Sequence, residues 1–152
     1  MKPAAVAALG AGRMGRGIAL AFACAGQRVI LIDVKDRNQA DFEKLQGEAM
    51  QEIGEHLGAL VDLGLLTEAA KHKVIARIEV SPRAAAAACL PPVNLLFEGV
   101  PEIMEAKAAA LSFACRWLSD EAVVASTSST FLSTALAGMV PQPQRFLNAH
   151  WL

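Results

Sequence analysis

The chain has 152 residues, of which 54% are hydrophobic and 19% charged, with a formal net charge of -1, as is typical of one globular domain. The slightly acidic balance argues against nucleic-acid binding, and the apolar runs are shorter than the roughly 20 residues of a membrane-spanning helix, so we expect a cytoplasmic protein without a nucleic-acid or membrane partner. The three cysteines, Cys24, Cys89 and Cys115, match no metal or disulfide spacing, which predicts buried, reduced thiols and no metal site.

The first third of the chain begins with a strand, a turn, a helix and a second strand. Residues 4–9 are a short apolar run that ends at a glycine. Apolar residues then recur at helical spacing until Gly26: Met14, Ile18, Ala21 and Ala25. Residues 28–33 (RVILID) form a continuous branched apolar run, which is typical of a parallel strand buried on both faces, and the run ends in an acid, Asp33.

A helical hairpin is predicted between the second and third strands, over residues 38–76. Its first helix carries apolar residues at helical intervals: Phe42, Leu45, Ala49, Ile53, Leu57 and Leu60. Thr67 is a candidate N-cap for a second, shorter helix. The hairpin is thus an insertion into a regular alternation of strands and helices.

After the hairpin the alternation resumes, with short strands predicted at residues 77–80, 93–97, 121–126 and 145–151. Ser81 and Pro82 are predicted to cap and begin a helix. A helix after Pro101 carries an apolar stripe: Met104, Ala108, Leu111, Cys115 and Leu118. The hydroxyl-rich turn, residues 126–130, precedes a short helix that ends near Gly138. This order predicts a Rossmann-type, doubly wound, mainly parallel α/β sheet with a helical hairpin insertion.

A glycine turn, residues 10–15 (GAGRMG), fits the pattern G-x-G-x-x-G between the first strand and the first helix. In this setting Gly10 permits a tight turn, Gly12 lets the backbone approach a pyrophosphate, and Gly15 allows close packing of helix on strand. The free N–H groups at the helix start provide an anion site. We therefore predict that this turn, including Arg13 and Met14, binds a dinucleotide.

Asp33 lies at the end of the second strand, 18 residues after Gly15. At that position an acid is placed to accept hydrogen bonds from an adenosine ribose. The same carboxylate repels a 2′-phosphate, so the predicted cofactor is NAD rather than NADP. We interpret the nearby Lys35 and Arg37 as solvated surface charges.

Five segments together resemble the L-3-hydroxyacyl-CoA dehydrogenase family: GAGRMGRGIA, LIDV, LLFEGVPEIMEAK, VVASTSSTF and RFLNAHWL. They stand in the family's order and at roughly its spacing, and the resemblance covers essentially all of residues 1–152. It implies that the chain is the NAD-binding domain of an oxidoreductase of fatty acid metabolism. That enzyme would transfer a hydride between the C3 hydroxyl of a 3-hydroxyacyl-CoA and NAD.

The resemblance also implies roles for four further residues. Glu102 and Lys107 would line the nicotinamide-ribose side of the cofactor, Ser129 would hydrogen-bond the reacting oxygen of the substrate, and His150 would be the general base. From the residues alone, Glu102 is equally a first-turn acid favoured by a helix dipole, and Lys107 a solvent-facing partner on that helix. The other hydroxyls of the hydroxyl-rich turn are equally candidate caps for the helix that follows.

Two features depart from the family's pattern. Thr127 stands where many relatives carry Asn, which puts a side-chain amide contact near the cofactor in doubt. The family's orienting glutamate and its helical domain, which completes the acyl-CoA site and forms the homodimer, lie beyond the end of this chain at Leu152. We therefore expect a piece of a longer enzyme that is inactive alone. Two alternatives are a stand-alone nucleotide-binding module without turnover and a β-hydroxyacid dehydrogenase that acts on free acids.

Overall fold

Six parallel strands form the centre of the fold in a computed structural model, which describes residues 5–150. The strands are β1 (Ala5–Leu9), β2 (Val29–Ile32), β3 (Ile78–Ser81), β4 (Val93–Glu98), β5 (Val123–Ser126) and β6 (Phe146–Asn148). Their order across the sheet is β3-β2-β1-β4-β5-β6, with every pairing parallel. This is the strand order of a Rossmann-type fold, and it confirms the predicted sheet.

Helices cover both faces of the sheet because both faces are apolar. The helices are α1 (Arg13–Cys24), α2 (Gln39–Asp62), α3 (Glu68–Ile75), α4 (Ala86–Cys89), α5 (Met104–Ala114) and α6 (Ser133–Ala137). Every residue of β1 and β2 is buried, and successive side chains point to opposite faces. Val6 and Ala8 join the core cluster under α1, α2 and α3, whereas Ala7 and Leu9 join the cluster under α4 and α5.

The helical hairpin is formed by α2 and α3, as predicted. Both helices begin at a side-chain cap: Asn38 accepts a hydrogen bond from the Asp41 N–H at 2.9 Å, and Thr67 accepts one from the Ala70 N–H at 3.2 Å. The predicted apolar stripe of α2 lies in the core cluster beside α1 or packs against it. Among residues 5–150 no helix has the length and apolar character needed to cross a bilayer.

The predicted cap at Ser81 was wrong. Ser81 is the last residue of β3, where its carbonyl accepts the Asp33 N–H at 3.0 Å and its hydroxyl donates to Glu79 Oε1 at 3.1 Å. A 3-10 turn, Arg83–Ala85, follows Pro82 instead. The strand continues to Ser81 because its backbone pairs with the end of β2. Towards the other edge of the sheet, β5 begins two residues later than predicted, and the edge strand β6 ends at Asn148. The predicted positions 4 and 151 lie outside the described residues.

The buried face of α1 differs from its apolar spacing, and the predicted burial of the cysteines was wrong. The buried face of α1 consists of Gly15, Ile18, Ala19 and Ala23, whereas Ala21 and Ala25 are exposed. Gly15 on this buried face permits the close approach described below. All three cysteines are free, but Cys24, the last residue of α1, is exposed, and Cys89 and Cys115 are half-buried.

Candidate active site

The glycine turn connects β1 to α1, and the packing of the protein requires glycine at two of its three glycine positions. Gly10 has a φ of +104°, a conformation that residues with a Cβ rarely adopt. A Cβ on Gly15 would lie 1.9 Å from the Gly10 carbonyl oxygen, so only glycine lets α1 pack this closely. A Cβ on Gly12 would meet no described atom within 4 Å and would point into open space. The turn is therefore closely packed at Gly10 and Gly15 and open at Gly12.

An open cleft of about 890 Å³ adjoins this turn at the carboxyl ends of β1, β2 and β4. Arg13 and Met14 line it, as do residues 99–101 after β4. The first turn of α1 reads RMGR, without an acid, so its free N–H groups and the helix dipole favour an anion there. The cleft lies where the strand order reverses between β1 and β4, the place where such sheets bind ligands.

Asp33 lies in this cleft directly after β2, and its residue surface is only 3% exposed. Its Oδ1 accepts a hydrogen bond from the Lys35 N–H at 3.1 Å, and its Oδ2 accepts one from Arg37 Nε at 2.6 Å. Arg37 is exposed, as expected of a surface charge, but its guanidinium also pairs with Asp33. Each carboxylate oxygen keeps a lone pair free for a further donor.

A buried ion pair lies below the cleft, between Glu98 at the end of β4 and Lys107 on α5. Both residues are 0% exposed, and Lys107 Nζ is 3.0 Å from each Glu98 carboxylate oxygen. The alternative that Lys107 faces solvent was thus wrong, because its charge is compensated inside the protein. Glu98 was not among the predicted site residues, although an acid directly after the strand VNLLF is visible in the sequence.

Glu102 joins the buried pair to the hydroxyl-rich turn. Its Oε2 is 3.2 Å from Lys107 Nζ, while its Oε1 accepts hydrogen bonds from the Ser128 hydroxyl and from the N–H groups of Ser129 and Thr130, at 3.2 and 3.1 Å. The Thr130 hydroxyl donates to the same oxygen at 2.8 Å. Glu102 lies one residue before Ile103, the N-cap of α5, so the alternative that it is a first-turn acid of that helix was wrong.

The hydrogen bonds to Glu102 also set its ionisation. Partial burial opposes the charged form, but the donors from Ser128, Thr130 and Lys107 outweigh this and lower the pKa of Glu102 from 4.5 to about 2. The carboxylate is therefore ionised at neutral pH. Within the turn, the Ser128 and Thr130 hydroxyls donate to Glu102, and the Ser126 hydroxyl donates to Glu98. The N-cap of α6 is Leu132, without a side-chain hydrogen bond among the described residues, so the alternative that these hydroxyls cap α6 was wrong.

Ser129 and His150 lie at the same edge of the sheet, after β5 and β6. Both are exposed, and His150 Nδ1 is 3.4 Å from the carbonyl oxygen of Thr127, two residues before Ser129. Asn148 Nδ2 donates to the Ser128 carbonyl at 3.0 Å, which joins the end of β6 to the hydroxyl-rich turn. The fold thus brings the two predicted catalytic residues to neighbouring segments.

Residues 5–152 match the family described as "3-hydroxyacyl-CoA dehydrogenase, NAD binding domain". The chain belongs to this family. The 3-hydroxybutyryl-CoA dehydrogenase of Bradyrhizobium diazoefficiens is 32% identical over 148 residues, which are 97% of this chain and 47% of that protein. The fatty acid oxidation complex subunit alpha of Psychrobacter cryohalolentis is 32% identical over 145 residues, which are 95% of this chain and 19% of that subunit.

A solved structure agrees with this membership of the 3-hydroxyacyl-CoA dehydrogenase family. The crystal structure of (S)-3-hydroxybutyryl-CoA dehydrogenase PaaH1 from Ralstonia eutropha matches with a TM-score of 0.83 and 28% identity, over 99% of this chain and 50% of that one. The chain spans about half the length of both dehydrogenases. The resemblance, the fold and the NAD cofactor predicted from sequence are thereby confirmed.

The residues of this family member fit NAD. The open space above Gly12 admits a pyrophosphate to the start of α1, and Asp33 offers carboxylate lone pairs at the end of β2. On the other side of the switch point, the ionised Glu102 lies beside the hydroxyl-rich turn. The individual contacts predicted for these residues, and for Lys107, Ser129 and His150, stay predictions.

Proposed function

We propose that this chain is the NAD-binding domain of an enzyme that transfers a hydride between C3 of a 3-hydroxyacyl-CoA and NAD. The observation that carries the proposal is the open space beside Gly12 at the start of α1. The tight turn at Gly10 and the close packing at Gly15 hold the backbone on either side of this space. The printed name of the Bradyrhizobium relative, a 3-hydroxybutyryl-CoA dehydrogenase, supports the thioester substrate class.

In this proposal NAD lies across the switch point of the sheet. Asp33 accepts hydrogen bonds from the adenosine ribose, and the N–H groups at the start of α1 bind the pyrophosphate between Gly12 and the side chains of Arg13 and Met14. Glu102 lines the nicotinamide-ribose side, with Lys107 directly behind it. The topology supports this direction, since Asp33 follows β2 on one side of the switch point and Glu102 follows β4 on the other.

When bound, NAD accepts or returns the hydride. His150 takes the proton of the C3 hydroxyl as general base, or returns it in the reduction. A carbonyl only accepts hydrogen bonds, so the Thr127 carbonyl beside Nδ1 favours the tautomer that carries its proton there and leaves Nε2 free to accept the substrate's proton. The Ser129 hydroxyl hydrogen-bonds the same substrate oxygen and holds it in position for His150.

We further propose that the enzyme acts in the cytoplasm on acyl-CoA thioesters as a homodimer, with a helical domain after residue 152. That domain supplies the dimer contacts and a glutamate that orients His150 by sharing its Nδ1–H with the Thr127 carbonyl. The family resemblance supports the dimer and the second domain. The three free thiols support a reducing compartment.

The test is hydride transfer by the protein as its organism produces it, with NADH and either acetoacetyl-CoA or free acetoacetate. We expect turnover of the thioester, and we expect His150→Gln to lower kcat by roughly 10²- to 10⁴-fold with unchanged NADH affinity. His72→Gln, at an exposed position on α3, is the matched control. Turnover of acetoacetate alone would indicate a free-acid dehydrogenase, and NADH binding without turnover a nucleotide-binding module.

A further inference from the structure

We propose that Glu98 is a positioning residue that acts through Lys107 to hold Glu102 in place for the nicotinamide half of the cofactor. Glu98 does not line the open cleft, and among the described residues its carboxylate makes no hydrogen bond to the glycine turn or to Asp33. The inference rests on the proposed NAD site. It assigns the buried pair to one half of that site.

The carboxylate of Glu98 is enclosed by donors from three segments. Its Oε1 accepts the Val100 N–H at 2.8 Å and Lys107 Nζ at 3.0 Å. Its Oε2 accepts Lys107 Nζ at 3.0 Å and the Ser126 hydroxyl at 2.6 Å. One fully buried side chain therefore fastens the loop after β4, the helix α5 and the end of β5 to one another.

The Lys107 ammonium has only three N–H donors, and the protein supplies acceptors for all of them. Besides Glu98, Nζ lies 3.4 Å from the Val100 carbonyl and 3.2 Å from Glu102 Oε2. Because Nζ is fully buried and surrounded by these acceptors, Lys107 works as a bridge between the two carboxylates. Its position, set by Glu98, decides where the Glu102 carboxylate lies.

A second route leads from Glu98 to the same turn. The Ser126 hydroxyl donates to Glu98 and accepts the Ser128 N–H at 3.2 Å. The Ser128 hydroxyl donates to Glu102 Oε1 and accepts the Phe131 N–H at 3.1 Å. Glu98 thus reaches the hydroxyl-rich turn both through the buried lysine and through the end of β5. Both routes meet at Glu102.

Charge explains why an acid is required at this position. A fully buried ammonium is stable only when a carboxylate and further hydrogen bonds compensate it. Without the Glu98 charge, Lys107 keeps Glu102 as its only carboxylate partner among the described contacts. The ammonium would then draw Glu102 inward, away from the turn. At the other end of the cleft, Asp33 is held by the Lys35 N–H and by Arg37, and the amide oxygen of a Gln at position 98 still accepts the Val100 N–H, so we expect that end to keep its contacts.

The test compares two ligands on the protein as its organism produces it. NADH occupies both halves of the site, whereas ADP reaches only the glycine turn and Asp33. We expect Glu98→Gln to raise the Kd of NADH about tenfold, the loss expected for disrupted hydrogen bonds to a charged group, while the Kd of ADP changes by less than about twofold. Glu79→Gln, at an exposed position on β3, is the matched control and should leave both Kd values unchanged.

The outcomes separate this proposal from the proposed function. A parallel loss of NADH and ADP affinity, or unchanged NADH affinity, overturns the positioning role. If Glu98→Gln does not fold, Glu98→Asp replaces it, because it keeps the charge for Lys107 but shortens its reach, and we expect it to fold, to bind ADP normally and to bind NADH more weakly. Failure of Glu98→Asp to fold assigns Glu98 to the fold and overturns the proposal. Wild-type protein that binds neither ligand overturns the proposed function itself.

Discussion

Replacing Gly15 with alanine tests the close packing of α1 on the glycine turn. The new Cβ would lie 1.9 Å from the Gly10 carbonyl oxygen and 2.9 Å from Leu31 Cδ1. Since Cβ contacts shorter than 3.0 Å essentially never occur, the helix or the turn must move by at least the difference of 1.1 Å. The Gly10 oxygen belongs to the backbone, in a turn fixed by its positive φ, and cannot rotate aside as a side chain would.

The expected cost follows from two opposing effects. Overpacking of this kind destabilises by about 1–3 kcal/mol, and the backbone contact places Gly15→Ala near the upper end of that range. Alanine in a helix regains about 1 kcal/mol relative to glycine. We therefore expect a net loss of about 2 kcal/mol in the free energy of unfolding, or a fall in Tm of roughly 4–8 °C for a chain of this size.

Gly47→Ala is the matched control for this substitution. Gly47 lies at an exposed position within α2, and a Cβ there would meet no described atom within 4 Å. Only the helix preference then remains, so this variant should gain about 1 kcal/mol. Urea unfolding followed by far-UV circular dichroism measures both variants. A Gly15→Ala protein as stable as the wild type would refute the close packing described here.

Three further substitutions test separate parts of the account. Asp33→Asn removes the carboxylate that pairs with Arg37. In titrations with each cofactor we expect the affinity for NADH to fall about tenfold and the affinity for NADPH not to fall, whereas an equal loss of affinity for the two cofactors would contradict the ribose contact. Folding lowers the pKa of Glu102, so its carboxylate adds stability that is present above pH 4.5 and is lost as the pH falls towards 2, and Glu102→Gln should remove it. Urea melts measure the difference in stability between wild type and variant, and an equal difference at pH 7 and pH 3 would count against the lowered pKa. Asn38→Ala removes the cap on the Asp41 N–H and should cost about 1 kcal/mol in urea unfolding, whereas no loss would show that the cap contributes nothing.

Much of the fold was predictable because its signals are local. A parallel strand with both faces buried appears in sequence as an unbroken apolar run, as in β2. The two hairpin helices carry their own start signals at Asn38 and Thr67, and the stripe of α2 repeats over many turns. The glycine turn was recognisable because its pattern falls between a strand and a helix.

The buried pair was not predictable from local pattern. Helical spacing relates Lys107 only to other residues of α5, and lysine is normally a surface residue, so the local sequence predicts an exposed side chain. Its burial depends on partners outside that helix, above all Glu98 at the end of β4. The Ser126 hydroxyl, which completes the shell around Glu98, comes from a strand 28 residues further along. Such compensation becomes visible only when three segments are placed together.

The face that α1 presents to the sheet was not predictable, for a similar reason. Ala21 and Ala25 fit the apolar spacing but are exposed, because the clearance at Gly15 decides how the helix approaches the sheet. Small residues then pack best at Ala19 and Ala23, which are fully buried. A hydrophobicity pattern contains no information on how closely a helix can approach a strand.

The central claim is that the glycine turn binds NAD, and NADH titration of Gly12→Leu tests it most directly. The backbone at Gly12 is extended, with φ -83° and ψ -172°, so leucine fits without strain and its side chain enters the open space. We expect an unchanged Tm and NADH affinity weaker by about 100-fold or more, with Gly47→Leu as the control that binds normally. A Gly12→Leu protein that binds NADH as tightly as the wild type would contradict the claim.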